Sequence, residues 1–191
     1  MKVLSLATLL LCSSAAMAHY TLDYPQSRGF DDAKEPSAPC GGFDAVANRT
    51  QFPLTKGFLQ INSHHAKAEV KINVVIGNSP AAADFITAAG TPANSTSLNR
   101  PGNICLPLDL SSYKGAADNI NATIQIVYNG GDSPLYQCAD VVLVASAPSF
   151  DQTKCSDDAS PPQDTSAGVA LAVKGTATAT AALLMAVALA L

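Results

Sequence analysis

Ile120-Asn121-Ala122-Thr123-Ile124-Gln125-Ile126-Val127-Tyr128 is the stretch whose reading decides the fold. Apolar residues recur there at every second position, with Asn121, Thr123 and Gln125 between them. A period of two belongs to a strand with one buried face; a helix would scatter the same residues around its circumference. Val70, Ile72, Val74 and Ile76 repeat the pattern against Glu69, Lys71 and Asn73. Val141 to Val144 forms a third, more continuous apolar run, which suits a strand buried on both faces. Phe58 to Asn62 reads as a short fourth strand, and Gly130-Gly131-Asp132 and several Pro-rich stretches break the runs as turns. Ala81 to Ala89 has room for one or two helical turns, and residues 19–155 hold no stronger helical repeat. The expectation is an all-β chain, an immunoglobulin/fibronectin-like β-sandwich with long loops. On this reading Asn121, Thr123 and Gln125 face solvent.

The two ends belong to a different object. Lys2, the apolar run Val3 to Cys12 and the small-x-small site Ala16-Met17-Ala18 read as a secretory signal over residues 1–18. That run is shorter than the roughly 20 residues a membrane-spanning helix needs. At the other end, Ser166-Ala167-Gly168, a mixed spacer and an apolar tail over 181–191 follow the order of a glycosylphosphatidylinositol attachment signal. Residues 167–191 are therefore expected to be the removed propeptide, with lipidation near Ser166. A packed terminal helix fits less well, because its Ala/Thr alternation leaves no solvated face. Residues 156–166, polar and Pro-rich, read as a flexible stalk. The sandwich domain is then 19–155, and the expected location is the outer face of the plasma membrane or the cell wall.

All 15 acidic residues lie between these ends, while two of the 11 basic ones, Lys2 and Lys174, do not, so the processed chain carries a net charge near −6. An acidic domain lacks the basic footprint that nucleic acid requires. Cys12 leaves with the signal, and Cys40, Cys105, Cys138 and Cys155 remain, an even number in a secreted chain. Two disulfides follow, with three connectivities open. None of the cysteines has Cys-x-x-Cys zinc spacing. Asn48, Asn94 and Asn121 each open an Asn-x-Thr glycosylation sequon, so all three are expected at the surface.

The processed domain has three histidines: His19, His64 and His65. Cleavage after Ala18 makes His19 the first residue. An N-terminal histidine offers its α-amine and Nδ1 to one metal in a six-membered chelate. A second imidazole completes a T of three nitrogens that suits the tetragonal preference of Cu(II). A histidine pair beside a strand is otherwise ordinary solvated surface. The ordered set of segments is more specific: His19-Tyr-Thr-Leu-Asp-Tyr-Pro-Gln-Ser-Arg28-Gly29-Phe30, Pro39-Cys40-Gly41-Gly42, Leu59-Gln-Ile-Asn62-Ser63-His64-His65 and Tyr136-Gln-Cys138-Ala-Asp140. Together with the sequons and the anchor, it resembles the fungal copper-acquisition family, whose fold is shared with lytic polysaccharide monooxygenases.

That resemblance implies one Cu(II) ion held in a histidine brace by His19, His65 and Asp140. The family pattern has one histidine after Asn-Ser-x, which favours His65 over His64. It also implies disulfides Cys40–Cys155 and Cys105–Cys138, the second just before Asp140. A carboxylate near Cu(II) favours the oxidised ion and fills space that an oxygenase keeps open for dioxygen. Trp is absent, so the flat aromatic face suited to crystalline polysaccharide is poorly supplied. The implied function is cell-surface copper acquisition or homeostasis without catalysis, with copper passed to a membrane copper transporter. The competing expectations are a monooxygenase acting on chitin or glucan, and a metal-free anchored wall glycoprotein.

Overall fold

The computed structural model describes residues 19–158. Eight strands form two sheets: β1 Tyr20–Tyr24, β2 Thr50–Pro53, β3 Gly57–Ser63, β4 Ala68–Ile76, β5 Asn94–Leu98, β6 Gly102–Leu108, β7 Ile120–Asn129 and β8 Leu135–Val144. One sheet has the order β1-β3-β6 and the other β2-β8-β7-β4-β5. All pairings are antiparallel except β2 with β8. The sandwich, and the four runs read as strands, are as the alternation predicted. Among the described residues one α-helix, α1 Ala82–Ala89, occupies the place foreseen for one or two turns.

The core lies between the sheets. From one side it takes Tyr20, Leu22, Leu59, Ile61, Ile104 and Leu106, and from the other Val70, Ile72, Val74, Ile124, Ile126, Tyr128 and Leu143. Residues paired across an antiparallel ladder share a face. Ile72, Ile126 and Gln137 therefore point inward, whereas Asn73, Gln125 and Cys138, and next to them Val75, Thr123 and Asp140, point outward.

That outward face is not solvated, contrary to the expectation for Thr123 and Gln125, which are buried. The long loop between β1 and β2 lies over it. Arg28 of this loop forms an ion pair with Asp140 at 2.8 Å, and both side chains are at most 1% exposed. Thr123 Oγ1 and the Ala47 N–H also donate to the Asp140 carboxylate. Gln125 donates to the Pro39 carbonyl and accepts from Asn73. Amphipathic alternation signals one apolar face but cannot tell whether the other meets water or a polar loop. Of the sequon asparagines, Asn48 is exposed, and Asn94 and Asn121 are half-buried.

The disulfides are Cys40–Cys138 and Cys105–Cys155, which corrects the pairing that the resemblance implied. The ladder supplies the reason. Cys138 is on the outward face of the five-stranded sheet, and Cys105 shares a face with Gln60, whose side chain accepts from the Ser156 N–H of the crossing C-terminal segment. The thickness of the sandwich separates Cys105 from Cys138, so each bonds to the segment laid over its own sheet. Of the predicted stalk, Ser156 to Asp158 is tied to the domain: Arg100 pairs with Asp157, and Asn103 donates to the Asp158 carbonyl. The rest of the stalk, the signal and the anchor lie outside the described residues.

Burial alone would push the Asp140 carboxyl up. The bonds from Arg28, Thr123 and Ala47 and the guanidinium charge outweigh it and hold the carboxyl below its usual value. A depressed folded-state pKa stabilises fully above the unfolded carboxylate value of about 3.9 and is lost as pH falls through the folded value. Asp140→Asn should cost about 3–5 kcal/mol at neutral pH by leaving Arg28 buried without its partner. Urea unfolding across pH should show the gap from wild type narrowing below about pH 4.

Candidate metal centre

His19 stands just before β1, and its carbonyl accepts from the His64 N–H at 3.1 Å, continuing the β1–β3 ladder by one residue. The ring is thus fixed by backbone pairing at the end of a strand. Its Nδ1 lies 2.7 Å from Glu35 Oε2 and 3.7 Å from Asp32 Oδ1. The His19 side chain is 18% exposed, Glu35 1% and Asp32 64%. Ligand atoms of these three residues all lie within 4.8 Å of one another. Phe30, from the same loop, sets its ring edge-on to the imidazole at 6.5 Å.

Glu35 is buried because Gln137 requires it there. Gln137 Nε2 donates to Glu35 Oε1 at 2.8 Å and to the Tyr20 carbonyl at 2.7 Å, while its Oε1 accepts from the Leu22 N–H at 2.9 Å. One inward side chain of β8 therefore holds both the strand that carries His19 and the carboxylate that faces it. Burial raises the Glu35 carboxyl above its ordinary value, against the hydrogen bonds from His19 and Gln137 that pull it down.

The sequence-predicted ligands separate. His19 is in the cluster, while Asp140 is on the outward face of the five-stranded sheet, bound to Arg28. The structure does not bring Asp140 to His19. His64 is exposed. His65, the next residue, is half-buried, with its ring 6.4 Å from that of Tyr128, and Tyr128 stacks on Tyr20 at 4.7 Å. His65 Nε2 is buried and has no hydrogen-bond partner among the described residues. Asp32 and Glu35 were missed because three carboxylates within five residues of a polar loop look like solvated charge. Their position between His19–Phe30 and Pro39–Gly42, two segments that carry the family resemblance, is the signal that could have found them.

These donors fit a metal. The nitrogen of His19 that meets the carboxylates is Nδ1, the ring nitrogen nearer its own backbone. Among the described residues the ligand atoms that lie together are those of His19, Asp32 and Glu35. Mixed imidazole and carboxylate donors suit Cu(II) and other borderline ions better than Mg²⁺ or Ca²⁺.

The family described as Copper acquisition factor BIM1-like matches residues 17–160. The chain belongs to that family. It is 42% identical over 156 residues to Copper acquisition factor BIM1 of Cryptococcus neoformans var. grubii, spanning 78% of this chain and 71% of the relative. Against the protein of the same name from Cryptococcus neoformans var. neoformans the identity is 39%, with 78% and 70% covered. The family also has relatives named for the monooxygenases. The lytic polysaccharide monooxygenase-like protein ham-7 of Neurospora crassa is 32% identical, over 72% of this chain and 70% of its own length.

Gln137→Leu should leave Glu35 Oε1, the Tyr20 carbonyl and the Leu22 N–H without their buried partner. At about 1–3 kcal/mol for each unsatisfied group, less what relaxation recovers, the loss should exceed about 3 kcal/mol in chemical denaturation. Amide exchange should show β1 opening at lower free energy than β7.

Proposed function

We propose that the processed protein binds one Cu(II) ion through the α-amine and Nδ1 of His19, with His65 as the second imidazole and Glu35, flanked by Asp32, as the carboxylate. The observation that carries this reading is the approach of both carboxylates to His19 Nδ1. The ion would supply charge for these donors to neutralise. The chain's own part is to hold the imidazole, present a buried acid and keep the two in register through Gln137.

The protein acts as a cell-surface copper-binding protein in copper acquisition or homeostasis, not as an oxygenase. Two acidic groups beside the chelating ring favour the oxidised ion and occupy the space a dioxygen-activating site leaves free. Among the described residues the exposed large apolar side chains are Phe30, Val46 and Ile86, which offer no row of aromatic rings to a crystalline glycan. A lipid anchor near Ser166 would keep the loaded domain beside a membrane copper transporter and raise its effective concentration there. The alternative is lytic oxidation of chitin or glucan by the same metal. It draws support from the monooxygenase-like relatives.

Titration calorimetry with Cu(II) tests the reading on the processed protein and on a version with one extra residue before His19. The first should bind one ion tighter than micromolar, and the second should lose at least about 100-fold by losing the chelating amine while keeping every side chain. Equal affinity would contradict the brace. Release of oxidised oligosaccharides from chitin or glucan with a reductant and peroxide would establish the enzyme instead.

A further inference from the structure

The β7–β8 turn contains two adjacent glycines, Gly130 and Gly131, whose needs differ. Gly131 has φ +115, a conformation that side chains rarely adopt, and a Cβ built there would meet nothing within 4 Å. Gly130 is the reverse. It is absent from the positive-φ positions, so no left-handed backbone bars a side chain there. A Cβ on Gly130 would lie 2.7 Å from Nε2 and Cδ2 of His65 and 2.9 Å from Cγ. The imidazole thus rests directly on the Gly130 backbone, in space that any other residue would fill. The nitrogen at that contact is the buried one without a hydrogen-bond partner.

We infer that Gly130 is a positioning residue for copper binding: its missing side chain lets the His65 ring seat with Nε2 uncommitted, next to the strand end that carries His19. This rests on the reading of His65 as the second imidazole ligand. The remaining constraints on the residue act from other sides. Ser63 Oγ donates to the His65 carbonyl, and Tyr128 OH lies 2.7 Å from Ser63 Oγ. These hold the His65 backbone, leaving the ring's tilt to Gly130 and Tyr128. A methyl group at position 130 would meet ring atoms of a side chain and not backbone, so the ring must shift while the turn persists.

The test compares Gly130→Ala, Gly131→Ala, His65→Ala and the Gly130→Ala/His65→Ala double variant of the processed protein. Each is measured by Cu(II) calorimetry, by the Cu(II) electron paramagnetic resonance spectrum and by metal-free thermal unfolding. Gly130→Ala should weaken Cu(II) binding by about 10–100-fold, the usual range for groups that orient a ligand. It should also alter the nitrogen hyperfine pattern, with little change in metal-free melting. Gly131→Ala should lower the melting temperature through backbone strain and leave affinity and spectrum at wild type. In the double variant the Gly130 effect should vanish. Equal losses from both glycine variants would assign the effect to turn conformation and overturn the inference, as would an unchanged spectrum in Gly130→Ala while His65→Ala loses affinity. If His65→Ala binds like wild type, the ligand reading itself fails, and any loss in Gly130→Ala then has another origin.

Discussion

Gln137 joins what would otherwise be two independent halves of the site. It sits on the inward face of β8, in the five-stranded sheet, and bonds to the backbone of β1 on the other sheet and to the buried carboxylate of Glu35. β1 is the outer strand of the three-stranded sheet and has one strand neighbour, β3. Its position must come from lateral bonds, and β3 supplies one ladder while Gln137 supplies the bonds across the core. The amide also offers Glu35 a donor in a place where a lone carboxylate would be costly. Orienting the His19 imidazole and placing an acid opposite it are here one problem with one side chain at its centre.

The loop between β1 and β2 does the complementary work from outside. It carries Phe30, Asp32 and Glu35 to His19, and it is fastened over the five-stranded sheet by Arg28–Asp140 and Cys40–Cys138. Asp140 therefore bears on the centre indirectly. Its bond with Arg28 anchors the loop that presents the acids, which gives a physical reason for the Arg and Asp to occur together in the recognised segments. The second disulfide does the same for the other sheet, where Cys105–Cys155 and the Asp157 contacts bind the C-terminal segment along β6. Each sheet is strapped on its outer face by a different part of the chain.

Much of the fold was legible because alternation is a local property. Val70–Ile76 and Ile120–Tyr128 could hardly be anything but half-buried strands, and their pairing follows in the structure. β1, β2, β5 and β6 were not identified, since they are short or interrupted by polar and Pro residues, as in Gly102-Asn-Ile-Cys-Leu-Pro-Leu108. The centre was half legible. His19 stood out from its place after the small-x-small motif Ala16-Met17-Ala18. Asp32 and Glu35 did not, because whether a carboxylate meets His19 or, like Asp140, meets Arg28 depends on which face of a sheet each group lies on. That is a long-range fact, and it inverted the disulfide pairing for the same reason.

The central claim is that the metal takes its carboxylate from the β1–β2 loop, with Asp140 remaining structural. A crystal structure of the processed protein loaded with Cu(II) tests this directly. The account predicts the ion on the amine and Nδ1 of His19 with Glu35 or Asp32 as its nearest acid, and Arg28 still paired with Asp140. An ion coordinated by Asp140, with Arg28 displaced from it, would contradict the account.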